Sequence, residues 1–239
     1  MNILHVCNSK YKSPLTRRLK SLSSYIRVTE VLSTELSQFL DVPKFKLHKK
    51  NFDRILITCN VQSRASVIRR CAKLRLPMLT ELPISKKLTT VQEIYSLVKD
   101  NNLKLNTICN CRFLTEPILE KNRHQIYYQD QNINDIAFPW NSTIMQLLYM
   151  SHEWNSYFDN SRSTNILIDL VDVPTSSIIA SQTKMFKLWL ENSKELWSIN
   201  DILGIHKKAL RFEEIWKAKL IKDSKLKDDP ADIEEEYDD

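Results

Sequence analysis

Five short β-branched or aliphatic runs recur about every 25 residues along the first half of this chain, at Asn2 to Cys7, Tyr25 to Leu32, Arg54 to Cys59, Pro77 to Thr80 and Lys104 to Cys109. Segments of helical periodicity fill the gaps. Parallel strands need a crossover of a dozen or more residues, usually a helix, and a parallel sheet is covered on both faces. The alternation therefore predicts a doubly wound α/β unit. Its clearest helix is Thr90 to Asp100, where Thr90 and Glu93 have the spacing of a capping box and Val91, Ile94, Leu97 and Val98 fall on one face. A second runs from Val61 to Leu74, with Val61, Ala65, Ile68 and Ala72 apolar and Arg64, Arg69, Arg70 and Lys73 read as its polar side.

After about residue 124 the rhythm changes. Gln125 to Tyr128 is strand-like, Ser142 to Trp154 reads as a helix, and Asn165 to Val171 and Ser177 to Ser181 read as short strands. A final helix from Ile199 to Ile221 carries Ile202, Ile205, Ala209, Phe212, Ile215, Trp216 and Leu220 at three- and four-residue spacing. The organisation expected is an α/β domain over residues 1–122, a reduced α+β domain over 123–222, and a charged, disordered tail over 223–239.

Composition narrows the options. At the usual frequency of about 7% a chain of 239 residues would hold roughly 17 glycines, yet Gly204 stands alone. The last twelve residues hold eight acids and no base, so the chain before them carries a formal +14 against +6 for the whole. Residues 1–75 hold sixteen Lys or Arg against four acids, an electropositive segment suited to phosphate-rich ligands or to ordinary solvation. No apolar run exceeds four residues, which excludes a membrane span and a signal peptide. The five cysteines include no two-residue-spaced pair; in a reducing, cytoplasmic setting they are expected to be free thiols.

The succession "FDRILITCN", helix, "LRLPMLTELPIS", capped helix, "NNLKLNTICNCRF" resembles the N-terminal domain of the Gfo/Idh/MocA family of NAD(P)-dependent oxidoreductases. The match is best over residues 52–120. The stretch "FKLWLENSKELWSINDILGIHKKALRFEEIWKA" looks like that family's closing segment, in which a helix, a turn and a long final helix return to the nucleotide domain. The resemblance implies a Rossmann-like fold with NAD or NADP across the C-terminal strand ends. With the switch-point rule for open parallel sheets, it places cofactor contacts at Asn8, Ser9, Lys10, Lys12, Ser13, Ser33, Thr34, Thr58, Asn60 and Glu81.

The chain departs from the family at three places. The turn after the first strand reads Cys7-Asn8-Ser9-Lys10-Tyr11-Lys12-Ser13, without the glycines that let backbone amides approach a pyrophosphate. The second strand closes Leu32-Ser33-Thr34, with no acid there to hold a ribose hydroxyl. Where the family's Glu-Lys-Pro lysine assists proton transfer, this chain has Glu81-Leu82-Pro83, and leucine carries no proton. His152 is the candidate survivor of the second-domain catalytic pair.

Other motifs have plainer readings beside the functional one. Cys7, Lys12, Ser13 and Pro14 faintly resemble a phosphatase loop, against a buried strand-end thiol. Cys109 and Cys111 lack companions at metal-ligand spacing. His5 reads as a core histidine, and His48, His124 and His206 as surface ones. The aromatics between Tyr127 and Phe158 read as core or as a surface for a protein partner or a second copy, with nucleic acid disfavoured because only His124 and Arg162 supply nearby basic side chains. Two functions are thus expected: a non-catalytic binding or regulatory relative, or an active oxidoreductase on a small carbonyl or hydroxyl (sugar-like) substrate.

Overall fold

All five predicted runs are strands of one parallel sheet. The computed structural model describes residues 1–8, 14–41, 52–108, 113, 126–127, 167–168 and 175–227. β1 (Asn2–Cys7) lies between β2 (Arg27–Leu32) and β3 (Arg54–Thr58), and β4 (Met78–Thr80) and β5 (Leu105–Thr107) continue outward from β3. Every pairing is parallel. β1 and β3 are buried almost throughout, as central strands covered on both faces must be. The helices between them are α1 (Pro14–Leu22), α2 (Leu36–Asp41), α3 (Val61–Ala72) and α4 (Leu88–Asp100). The order β2-β1-β3-β4-β5 reverses direction between β1 and β3. Right-handed crossovers then put α1 on one face and α3 and α4 on the other. The reversal is a topological switch point.

Beyond the sheet, β6 (Ile126–Tyr127) and β7 (Leu167–Ile168) form an antiparallel pair, and two helices follow, α5 (Thr175–Leu190) and α6 (Ile199–Lys227). These helices return to the α/β layer. Met185, Phe186, Trp189, Ile202, Ile205 and Ala209 are buried in the same core as Ile3, Leu4, Ile55, Leu56 and Ile57. The Arg54 guanidinium, 5.6 Å from the Trp189 ring, donates to the Leu190 carbonyl at 2.6 Å and to Asn192 Oδ1 at 2.9 Å. The turn before α6 covers β5: Thr107 N–H and the Asn106 amide both donate to the Trp197 carbonyl, at 3.2 and 3.1 Å.

The scarcity of glycine has a local answer. Three helix ends turn through left-handed residues, at Arg75 (φ 56°), Asn102 (φ 49°) and Asn192 (φ 57°). At Asn102 the amides of Asn102 and Leu103 donate back to Lys99 and Val98, and at Asn192 the amides of Asn192 and Ser193 donate to Trp189 and Leu188. Both are Schellman closures, normally made by glycine and sometimes by asparagine.

Four expectations are corrected. Ser177 to Ser181 lies inside α5 rather than in a strand, because Ser181, Met185, Phe186 and Trp189 form a buried stripe of helical period while Ile179 is exposed. Thr90 and Glu93 make no capping box: α4 begins earlier, at Leu88, its N-cap Lys87 makes no side-chain cap bond, and the Glu93 carboxylate pairs with Arg69 of α3. Residues 223–227 continue α6 rather than open the tail. His206 is buried, not on the surface, since it falls on the stripe of Ile202, Ile205 and Ala209 while Lys207 faces outward. The helix expected over Ser142 to Trp154, His48, His124, Cys109, Cys111 and tail residues 228–239 lie outside the described residues, as do the aromatics from Tyr128 to Phe158.

Candidate functional site

The register of the three central strands assembles the site. Cys7 lies opposite Leu32 on one side and Thr58 on the other, so the residues that follow these strand ends share one edge of the sheet, at the switch point. There Asn8 Oδ1 accepts the Asn60 N–H at 3.1 Å and the Ser33 hydroxyl at 3.4 Å, and the Asn8 amide donates to Asn60 Oδ1. Asn60 is the N-cap residue of α3 but makes no side-chain cap bond. Its side chain turns to Asn8, and the positive end of the α3 dipole opens at the same edge.

The remaining expected contacts divide. Thr34 is exposed in the turn after β2. Thr58 points inward, its hydroxyl 2.7 Å from His5 Nε2. His5 Nδ1 lies 2.9 Å from the Thr16 hydroxyl of α1 and 3.5 Å from the Glu30 carboxylate of β2, and burial lowers the pKa of the imidazole. This is an interior cluster below the strand ends, so Thr58 stands apart from Asn8, Ser33 and Asn60. Ser9, Lys10, Lys12, Ser13 and His152 lie outside the described residues. Cys7 is a buried strand-end thiol directed at the Val31 carbonyl. Among the described residues no cluster of His, Cys, Asp or Glu could hold a metal, and Cys7, Cys59 and Cys71 are buried and in no disulfide.

Glu81 follows β4, and its carboxylate meets Arg64 of α3 at 2.9 Å. Arg64 was grouped with the polar side of its helix, yet it is only 5% exposed. Its Nε and Nη2 donate to the Cys59 carbonyl at 3.1 and 2.6 Å, and Nη1 donates to the Pro83 carbonyl at 2.6 Å. One planar fork thus ties the end of β3 to the loop after β4. Burial pushes the Glu81 carboxyl up against the pull of that guanidinium. The signal for Arg64 was its spacing, one turn before Ile68 on the apolar stripe. Behind the same loop, His206 Nε2 accepts the Ile84 N–H at 3.2 Å and Nδ1 donates to the Ile202 carbonyl at 2.8 Å. Burial lowers the His206 pKa to about 4, so the ring is neutral at pH 7.

Against solved structures, the WlbA (WbpB) dehydrogenase of Thermus thermophilus, seen in complex with NAD and UDP-GlcNAcA, superposes with a TM-score of 0.55 at 11% identity, over 87% of this chain and 94% of that one. The chain shares that protein's fold. A probable dehydrogenase of Thermotoga maritima matches at TM-score 0.39 and 18% identity over 52% of this chain and 40% of its own. A Gfo/Idh/MocA family oxidoreductase of Vibrio cholerae matches at 0.39 and 11% over 51% and 42%. The chain thus spans less than half the length of these two, and nearly all of the Thermus enzyme. No family model and no curated protein matches the sequence. At these identities the likeness is one of fold. No helix among the described residues is long and apolar enough to cross a membrane.

Proposed function

We propose that the protein binds a nicotinamide dinucleotide, NAD or NADP, at the strand ends and lacks the proton-transfer chemistry of the oxidoreductases it resembles. Leu82 carries this reading. It holds the position of the family's lysine, and it is 2% exposed within the hydrophobic core. An apolar side chain there neither moves a proton nor faces a ligand. The neighbouring Glu81 is engaged by Arg64.

The strand-end residues fit a dinucleotide. Asn8, Ser33 and Asn60 supply amide and hydroxyl groups able to bond ribose or phosphate oxygens, and the N-terminus of α3 favours an anion. Ser9, Lys10, Lys12 and Ser13 add hydroxyls and cations in the segment between β1 and α1. A bound nicotinamide would supply hydride chemistry, and here its role would be that of a ligand sensed. In this reading the protein is cytoplasmic and acts through a protein partner or a second copy of itself. An active oxidoreductase is the second reading, favoured by the shared fold with an NAD-bound dehydrogenase over 87% of the chain.

Calorimetric titration with NADH and NADPH at low and moderate salt, followed by incubation with a panel of small carbonyl and sugar-like substrates, separates the readings. Saturable binding that persists at moderate salt, without nicotinamide oxidation, is the expected result. Binding with turnover establishes the enzyme. Weak binding erased by salt is nonspecific attraction to a basic surface and sinks both.

A further inference from the structure

We infer that His206 is a positioning residue for the strand-end site. From the terminal helix it holds the loop that bears Glu81 and Leu82. The inference rests on the dinucleotide reading for the ligand, but its geometry stands independently.

The loop from Glu81 to Ser85 leaves β4 at the edge where the candidate site lies. Two helices hold it. From α3, Arg64 bonds the Glu81 carboxylate and the Pro83 carbonyl. From α6, His206 accepts the Ile84 N–H, a contact 122 residues apart in sequence. Leu82 and Ile84 are buried between these two attachments, at 2% and 0% exposure. The Ile84 amide is therefore a buried donor satisfied by an imidazole, and its loss would leave that donor unpaired.

The tautomer follows from the partners. Nε2 faces an N–H and must accept, so Nδ1 carries the proton and donates to the Ile202 carbonyl one turn earlier in α6. Both ring nitrogens are used, which fixes the imidazole plane and, through it, the separation of α6 from the loop. A displacement of α6 consequently pulls on Ile84, and through Pro83 and Arg64 on the Cys59 carbonyl that precedes Asn60. The residues at the ligand edge and the far C-terminal helix form one connected hydrogen-bonded unit.

The test uses the full chain and two substitutions. His206→Leu keeps bulk and removes both polar atoms, whereas His206→Gln keeps an acceptor at the reach of Nε2. Hydrogen–deuterium exchange is read at the peptide spanning residues 81–87, with the α3 peptide (61–72) as internal reference, and NADH affinity is titrated beside it. The expected result is exchange at least ~10-fold faster at Ile84 in His206→Leu with α3 unchanged, near-normal protection in His206→Gln, and NADH affinity falling about tenfold in the first variant but not the second. Unchanged protection at Ile84 in His206→Leu overturns the proposal, and so does equal loosening of α3 with no rescue by glutamine. Faster exchange with intact NADH affinity overturns the positioning role. If the unaltered protein binds no NADH, the dinucleotide reading falls and with it the ligand-positioning role, while the exchange data still decide whether His206 holds the loop.

Discussion

Lowering the pH from 7 to 5 should destabilise the native protein through His206 by an amount that can be worked out and isolated. The ring is 0% exposed, and burial, the largest cause, lowers its pKa from 6.5 to about 4, with the nearby Arg64 charge acting in the same direction. The charged groups facing it across the loop are Arg64 and, beyond it, Glu81. A base whose folded pKa is depressed is held neutral by folding, so between pH 6.5 and 4 the unfolded chain binds more protons. Stability is therefore complete above about pH 6.5, declines as the pH falls through the unfolded value, and stops declining below the folded one. The full difference is about 3 kcal/mol, of which about 2 kcal/mol is developed at pH 5. Urea unfolding at pH 7 and pH 5, on the unaltered protein and on His206→Gln, measures this term as the difference between their two pH dependences. His5 and Glu81 titrate in both proteins and cancel. The glutamine variant should lose about 2 kcal/mol less between the two pH values. Equal pH dependence in the two proteins, within about 0.5 kcal/mol, would refute the assignment of His206 as a neutral acceptor for Ile84.

Arg64→Met should destabilise by about 3 kcal/mol, because it strands the Glu81 carboxylate and the Cys59 and Pro83 carbonyls; Arg64→Lys should recover little, having no fork, and chemical denaturation measures both. Arg75→Gly should raise stability by about 0.5–1 kcal/mol by relieving a left-handed arginine, whereas Asn102→Ala should lower it by about 1 kcal/mol; thermal unfolding distinguishes the two signs. Leu82→Lys should lower the midpoint of thermal unfolding sharply, by burying a cation without a partner, and should yield no turnover of NADH with any carbonyl compound.

The sheet was legible because its signal is local. Each strand is an apolar run bounded by turn residues, and the spacing between runs admits only crossovers, so the strands were found to within about two residues. The αα return of the C-terminal segment was legible from resemblance more than from pattern, and the pattern misled at Ser177 to Ser181. A three-residue apolar run flanked by serines has no period of its own. Only the wider window reaching Met185 and Trp189 shows the helical stripe.

The geometry around the strand ends was partly legible, and the placements that were missed share a cause. The juxtaposition of Asn8, Ser33 and Asn60 was legible because the ends of parallel strands at a switch point must lie together whatever their side chains are. Thr58 followed the same rule and failed it, since alternation along β3 turns its hydroxyl toward His5 rather than toward the edge. Arg64 and His206 were misplaced because charge was read as exposure. Each sits on the apolar stripe of its own helix, Arg64 four residues before Ile68 and His206 four after Ile202, and at such positions a polar residue is a statement about buried partners. Those partners include the Pro83 carbonyl, the Ile84 N–H and the Glu81 carboxylate in the loop after β4 and the Cys59 carbonyl at the end of β3, which no sequence motif announces. Leu82 belongs to the same logic in reverse. A lysine at that position would have to leave the core to reach a ligand, whereas leucine lets the loop be drawn inward between the Arg64 and His206 attachments. In the reading proposed above, the leucine at this position and the burial of the loop are one structural feature, so Leu82→Lys alone is not expected to bring the side chain to a ligand.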